Sequence, residues 1–495
     1  MKPIQGKKAI VIGGGVAGLA TAIRLSSLGF EVEIFETNSY AGGKLSEIRL
    51  GDYRFDAGPS LFTMPHLVEE LFWISGKSSK EFPYKRLDEV CRYFFPDGTR
   101  FHASADPRIL VETLSQHLGE DPIVLESYLK KSKFKYETIG KLFLERCLRK
   151  LSTFWNSRAL KAYLNLPKLG LFGSLHSYNQ SVFKNPKTIQ LFDRYATYNG
   201  SDPHQTPAVM SMIPHLEFGI GAYFPENGMV QITEALVTLA IEKGVIISLN
   251  SPVDKIELSG SDRAMGVWCK GTLHQADVLI SAVDVSLTYS KLLGNPVLGN
   301  KYRNLPKSSS AIIWYWGVSK KSESTGLHNV FFSSDYKKEF DCLFKKKSMP
   351  EEPTIYLNIS SKERKEDAPE GCENWFAMVN APANEGQDWD SLISSAREKV
   401  ISRLSQELDI DLNVLIKEET FLDPRSLEQR TGSVGGALYG SNSNDPFAAF
   451  LRHANFSSSV SNLFFCGGTV HPGGGIPLAL QSAALAVGYV KERMV

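Results

Sequence analysis

The apolar positions near the amino terminus run without a break from Ala9 to Ile12 and stop at Gly13-x-Gly15-x-x-Gly18. The run reads as a buried strand and the glycines as a turn into a helix. A helical stretch continues to Leu28, Gly29 ends it, and Val32 and Ile34 alternate with polar residues along a strand that closes on Glu36. Residues 106–190 carry Leu, Phe and Lys at helical spacing with few β-branched residues, which predicts a helical region. Strand patterns return at Val245–Leu249, Val253–Leu258, Met265–Cys269 and Val278–Val283, and again over 310–317 and 354–359. Lys345-Lys346-Lys347 and 360–371 are polar and read as loops. The tail closes with a strand, Leu463–Cys466, a glycine-rich turn and a helix from about Pro477 to Arg493.

The opening strand–turn–helix–strand unit is built to hold a dinucleotide. Gly13 permits the turn, Gly15 lets the backbone approach a pyrophosphate, and Gly18 lets helix pack on strand. The helix amino terminus offers free N–H groups and a positive dipole end. Glu36 is placed to accept from both ribose hydroxyls and to repel a 2′-phosphate, so FAD or NAD fits and NADP does not. Asp56-Ala57-Gly58-Pro59-Ser60 reads as a tight loop.

These elements do not arrange as beads on a string. The expected fold is α/β with mixed α+β character: a Rossmann-like FAD-binding domain, a β-sheet substrate domain and a helical, membrane-facing insert. The FAD-binding domain is expected to draw on 1–70, 226–300 and 455–495, the substrate domain on 71–105 and 301–454, and the insert on 106–225.

The tail, LFFCGGTVHPGGGIPLALQSAALA over 463–486, together with the opening unit, Gly42-Gly43-Lys44 and Asp56-x-Gly58-Pro59-Ser60, resembles the bacterial-type carotenoid (phytoene) desaturases. The resemblance implies the glutathione-reductase/amine-oxidase type of FAD fold. It implies that Gly43 and Lys44 lie along the FAD pyrophosphate and ribityl chain, with Lys44 where related oxidases more often carry Arg. It places Gly467, Gly468, Ile476 and Pro477 against the isoalloxazine and brings Val253 to the adenine through its backbone. Residues 194–203 and 222–229 are similar to the branch that introduces a 3,4 double bond next to a tertiary 1-hydroxyl. The implied activity is FAD-dependent desaturation of a long polyene, with oxygen or a quinone as the final electron acceptor. Phytoene desaturation or carotenoid isomerisation is the alternative within the fold. A flavin-free prenyl-lipid escort is the alternative of another class, set against the intact Gly13, Gly15, Gly18 and Glu36.

With 495 residues there is ample chain for two or three domains. The net charge of +1 gives no sign of a nucleic-acid partner. The six cysteines are scattered, with no zinc or CxxC spacing, so no metal site is expected and reduced thiols in a cytoplasmic protein are the simplest reading. The first strand begins within seven residues of the start, which leaves no room for a signal peptide, and no window approaches the about 20 apolar residues of a membrane span. Charge is nonetheless uneven. Residues 130–168 hold eleven bases against two acids, interleaved with Phe143, Phe154, Trp155, Tyr163 and several Leu. That pattern suits an interfacial segment, and the expected location is peripheral, on the inner face of the cell membrane.

The candidate chemistry is sparse. Arg194, Asp202, His204, His215 and Glu217 fall just before the second glycine-rich region, and each is a candidate to orient a hydroxyl or accept a proton. For each histidine a hydrogen-bonded core or loop role is the competing reading. Glu145 and Arg149 form an alternative pair that helix-surface pairing explains equally well. The aromatic strand Ala311–Trp316, with Phe331, Phe332, Tyr356 and Trp375, is a candidate tunnel wall; buried sheet core is the competing reading, compatible with the first, and the pattern leaves open which face each side chain takes. His471 is a candidate to stack near the flavin. No Ser-His-Asp, HExxH or paired-carboxylate signature is present.

Overall fold

The computed structural model describes residues 6–146, 164–165, 169–170, 173–260, 262–445 and 452–494. Residues 147–163, with Arg149, Lys150, Arg158 and Lys161, lie outside the described residues, and so does the suggested pairing of Glu145 with Arg149.

The opening apolar run forms strand Lys8–Ile12, and the glycine turn delivers the chain into helix Val16–Ser26. Gly18 explains why helix and strand sit so close. A Cβ there would stand 2.0 Å from the Gly13 carbonyl oxygen, so only glycine fits. The strand becomes the centre of a parallel sheet ordered Leu463–Phe465, Val278–Ser281, Lys8–Ile12, Glu31–Phe35, Ile246–Ser248. Its strands come from three distant parts of the chain. Helix Val16–Ser26 is almost fully buried against helices Val230–Glu242 and Ile476–Met494. On the other face lies an antiparallel three-stranded sheet, Val253–Ser259, Arg263–Cys269 and Thr272–Gln275.

A second, seven-stranded sheet runs in the order Ile416–Leu422, Ser310–Val318, Glu373–Ala381, Ile355–Asn358, His328–Phe331, Glu89–Phe94, Arg100–Ser104. Side chains alternate along its strands. Ile312, Trp314, Trp316 and Val318 pack with Trp375, Ala377 and Val379 under helix Trp389–Leu408. Ala311, Ile313, Tyr315 and Phe376 face the opposite way, toward hairpin Glu47–Leu50/Tyr53–Asp56. The candidate wall residues divide: Ile313 and Tyr356 line the cavity described below, and the buried-core reading holds for the others. Trp314, Trp316, Trp375 and Phe331 belong to the core beneath the helix, and Phe332 packs with Tyr93 and Phe95. The 360–371 segment contains two short 3-10 turns, and Lys345 and Lys346 end a helical turn, where loops were expected.

A buried ion network ties hairpin Glu47–Leu50/Tyr53–Asp56 to the 3-10 turn Lys365–Asp367 and to helix Val230–Glu242. Arg54 donates to Glu47 (2.5 Å), Asp56 (2.8 Å) and Asp367 (3.1 Å). Asp56 also accepts the N–H groups of Met229 and Val230, capping the start of helix Val230–Glu242. Arg54, Asp56 and Asp367 are all buried, so removing one partner strands the others without water.

Glu339, on helix Tyr336–Asp341, is buried and accepts from the Ser333 hydroxyl (2.7 Å), the Thr354 hydroxyl (2.7 Å) and the Thr354 N–H (3.1 Å). Burial pushes its carboxyl up to about 7, although the hydrogen bonds pull the other way. An unfolded glutamate titrates near about 4.3. The folded form therefore holds an extra proton between those values. This contribution to stability is complete below the unfolded value and is lost as pH rises through the folded one, amounting to about 4 kcal/mol. Melting curves between pH 5 and 8 should show a loss of stability that Glu339→Gln flattens; an unchanged slope in the variant would contradict the assignment.

Candidate active site

Between the two sheets lies a cavity of about 670 Å³. At one end its floor is the turn before helix Val16–Ser26. No side chain caps that helix, and its first turn carries no acid, so its N–H groups are free to meet an anion. A Cβ on Gly15 would point into open space, and one on Gly43 would stand 3.3 Å from the Gly15 α-carbon. The two glycines leave a trough that larger residues would fill. A Cβ on Gly58 would stand 1.9 Å from the Lys44 carbonyl oxygen, so the loop 58–60 presses directly on the trough's far side.

Glu36 closes this end. Its carboxylate accepts the Gly14 N–H at 2.6 Å and the Asn38 N–H at 2.8 Å, and it lines the cavity with lone pairs to spare. Lys44 is half-buried and donates to the carbonyls of Ala437 (3.0 Å) and Leu438 (2.8 Å). Burial lowers its pKa to about 8, partly offset by Asp284. Gly13, Gly43, Pro59, Ser60 and Val253 also line the cavity, as do Gly467, Gly468, Ile476 and Pro477 from the tail, where helix Ile476–Met494 begins. Gly18 lies behind the wall and sets helix position. The trough, the free helix terminus and the acid at the second strand's end together fit FAD. Glu36 would hold the ribose, the turn at Gly15 the pyrophosphate, and Gly467–Gly468 with Ile476 and Pro477 the isoalloxazine side.

Beyond the trough the same cavity runs along the seven-stranded sheet. Val90, Ile313, Val330, Phe376, Met378 and Leu422 give it an apolar wall. Ile313, Phe376 and Met378 belong to the strands expected to form a tunnel, but to the face opposite Trp314 and Trp316.

The cavity also reaches a buried polar cluster. Arg194 Nη2 donates to Glu217 Oε2 at 3.0 Å and to the Tyr93 hydroxyl at 2.9 Å. The Tyr198 hydroxyl donates to the same Glu217 oxygen at 2.9 Å. The guanidinium stands 4.6 Å from the centre of the Tyr195 ring, a cation–π contact. Arg194 ends helix Pro186–Asp193, and Glu217 lies on a π-helical turn, His215–Ile220, which aims it inward. Opposite stand His328 and Tyr356. The Tyr356 hydroxyl is 2.7 Å from both the Ser60 hydroxyl and His328 Nδ1. His328 is buried, and burial together with the nearby Arg194 pushes its pKa down to about 3, so the ring is neutral.

Of the catalytic candidates, then, Arg194 and Glu217 reach the cavity and His204 and His215 do not. The His204 ring lies 4.2 Å from His176, whose Nδ1 meets Asp193 at 2.6 Å. The His215 ring packs on Tyr136 beneath the π-turn. Asp202 serves its own loop, accepting from the His204 N–H and Gln205. The His471 ring meets Phe143, and its Nε2 lies 2.8 Å from the Arg146 carbonyl, outside the cavity wall. The Cys466 thiol is buried against the Thr21 hydroxyl, and burial pushes it up to about 12, which leaves it a poor nucleophile. His328 is the site residue that sequence reasoning missed. Tyr356, named there as a candidate wall aromatic on the 354–359 strand pattern, does line the cavity, but its hydroxyl chemistry was not foreseen. Among the described residues no group of His, Cys, Asp and Glu is placed to hold a metal ion.

Comparison with known proteins agrees with this geometry. The family model for flavin containing amine oxidoreductases matches residues 16–491. The chain is 46% identical over 484 residues to the 1-hydroxycarotenoid 3,4-desaturase of Flavobacterium sp. (strain P99-3), covering 98% of this chain and 99% of that one. It is 30% identical to the 4,4′-diapolycopene oxygenase of Methylomonas sp, covering 98% of each. It is 28% identical to the phytoene desaturase of Fusarium fujikuroi, covering 97% of this chain and 88% of that one. Among solved structures, an oxidoreductase from Methanosarcina mazei superposes with a TM-score of 0.63 at 17% identity, covering 98% of this chain and all of that one. Putrescine oxidase gives 0.63 at 13% identity, covering 99% of each. These two structures share the fold. The chain belongs to the flavin containing amine oxidoreductase family and is an FAD-dependent oxidoreductase.

Proposed function

We propose that the protein is a carotenoid desaturase that introduces the C3–C4 double bond of a 1-hydroxylated carotenoid while bound to the cytoplasmic surface of a membrane. The observation that carries the reading is the continuity of the cavity: one space holds the FAD trough at one end and an apolar sheet face beside it. The relative at 46% identity, which covers nearly the whole chain, supports the same choice of substrate.

FAD, when bound, supplies the acceptor for a hydride, and loss of a proton from the neighbouring carbon completes the double bond. The polyene delocalises the positive charge left behind, so the protein need not provide a strong base. Its side chains position the substrate and exclude water. Val90, Val330, Ile313 and Met378 hold the hydrocarbon without competing polar groups, and Ser60 and Tyr356 border the FAD end. Oxygen or a quinone drawn from the membrane would serve as the final electron acceptor.

Among the described residues no helix is long and apolar enough to cross a membrane. The bases of 130–168 other than Lys135, which is buried and donates to the Ser211 hydroxyl, support contact from one side, through anionic headgroups.

Under anaerobic conditions, the holoprotein mixed with a 1-hydroxylated polyene in vesicles should bleach its flavin and release a product lighter by two hydrogens and red-shifted in absorption. An isomerised product of unchanged mass would refute the desaturase reading. Glu36→Arg should purify with little yellow colour, because it removes the ribose acceptor and the anchor for Gly14 and Asn38; the lost charge-assisted hydrogen bonds correspond to FAD binding weaker by about tenfold to a hundredfold. Reversing the charges of Arg149, Lys150, Arg158 and Lys161 together should abolish co-sedimentation with anionic vesicles, and unchanged partitioning would exclude this segment as the membrane contact.

A further inference from the structure

A cavity that takes only hydrocarbon has no use for a buried charge, yet this one ends on Arg194 and Glu217, whose side chains are 11% and 2% exposed. Burying such groups is costly unless they are fully paired. They are not. Glu217 Oε2 receives both close donors, Arg194 and Tyr198, while Oε1 has only a long contact of 3.4 Å from Arg194. One carboxylate oxygen therefore has room for another donor.

His328 presents the complementary gap. Its Nδ1 receives the Asn358 amide nitrogen at 3.2 Å. That nitrogen also donates to the Leu327 carbonyl at 3.1 Å, which identifies it as the NH₂ end. Nδ1 is thus an acceptor, and in the neutral ring the proton sits on Nε2. Nε2 is buried and has no hydrogen-bond partner among the described residues, and His328, like Glu217, lines the cavity. The pocket therefore offers one unsatisfied N–H donor and one under-used carboxylate acceptor. An alcohol both accepts and donates, and so carries what each of these two groups on the cavity wall lacks.

We propose that His328 Nε2–H and Glu217 Oε1 bind the tertiary hydroxyl of the substrate and so select hydroxylated over unhydroxylated polyenes. The proposal rests on the reading of the protein as a 1-hydroxycarotenoid desaturase and assigns that preference to named atoms. Position supports it. The Ser60–Tyr356–His328 hydrogen-bond chain ties the imidazole to the loop bordering the FAD trough. In the substrate, the carbinol carbon is joined to C3 through a single methylene, so its anchor must stand close to the FAD end. A polyene without the hydroxyl would cover both groups and leave them unpaired, the situation in which a buried site discriminates most strongly.

The test compares a 1-hydroxylated polyene with its counterpart lacking the hydroxyl, in the FAD-loaded wild type and in His328→Phe and His328→Gln. Both kcat/KM and binding, by quenching of protein fluorescence, are measured. His328→Phe should lose about tenfold to a hundredfold on the hydroxylated substrate, with the unhydroxylated one unchanged or improved. His328→Gln, which keeps an N–H donor, should recover part of the loss. An equal loss on both substrates, or an unchanged ratio, would overturn the proposal. If the wild type turns over neither polyene, the desaturase reading fails. The binding preference and its loss in His328→Phe would then still decide the hydroxyl site, for it if they are seen and against it if they are not.

Discussion

The structure hinges on the approach of the Gly18 α-carbon to the Gly13 carbonyl. That contact fixes helix Val16–Ser26 on its strand, and the helix fixes everything packed around it. Its buried face holds helices Val230–Glu242 and Ile476–Met494. The same contact aims the uncapped helix terminus into the cavity, where Gly15 and Gly43 leave the trough open. A side chain at Gly18 would disturb packing and the FAD site together, because both depend on one spacing.

The second constraint is that hairpin Glu47–Leu50/Tyr53–Asp56 must stay fixed to the 3-10 turn Lys365–Asp367 and to helix Val230–Glu242. The Arg54 network supplies this. Asp56 binds Arg54 on one side and caps helix Val230–Glu242 on the other, and Arg54 reaches Asp367 next to the seven-stranded sheet. A buried ion network contributes little net stability compared with apolar packing, but it is unforgiving of displacement. That suits a cavity whose two walls come from different sheets.

The Arg194–Glu217 pair, with His328 on the same cavity, shows the opposite balance. Its groups are buried and incompletely satisfied, an arrangement that lowers stability and is retained where a ligand completes it. Its surroundings are aromatic, with Tyr93, Tyr195 and Tyr198 around the guanidinium. These rings let a cation sit beside an apolar passage without opening the passage to water.

The FAD trough was legible in the sequence because its determinants are local. Glycine spacing, a terminal acid and an uninterrupted apolar strand act within some thirty residues, and the tail glycines act within a dozen. The seven-stranded sheet was legible strand by strand, but not the face each strand shows the cavity. Period-two alternation separates Trp314 from Ile313; only helix Trp389–Leu408, packing on one side, decides which of them is covered. The polar roles of His328 and Tyr356 gave no signal, since they exist only where Ser60, His328 and Tyr356 meet from distant segments. For the same reason His204 and His215, neighbours of Glu217 in the chain, turn into the surrounding core. Sequence set the local geometry of the trough that fits the cofactor. Long-range packing alone chose which polar groups face the passage, because burial and pairing are properties of the assembled walls.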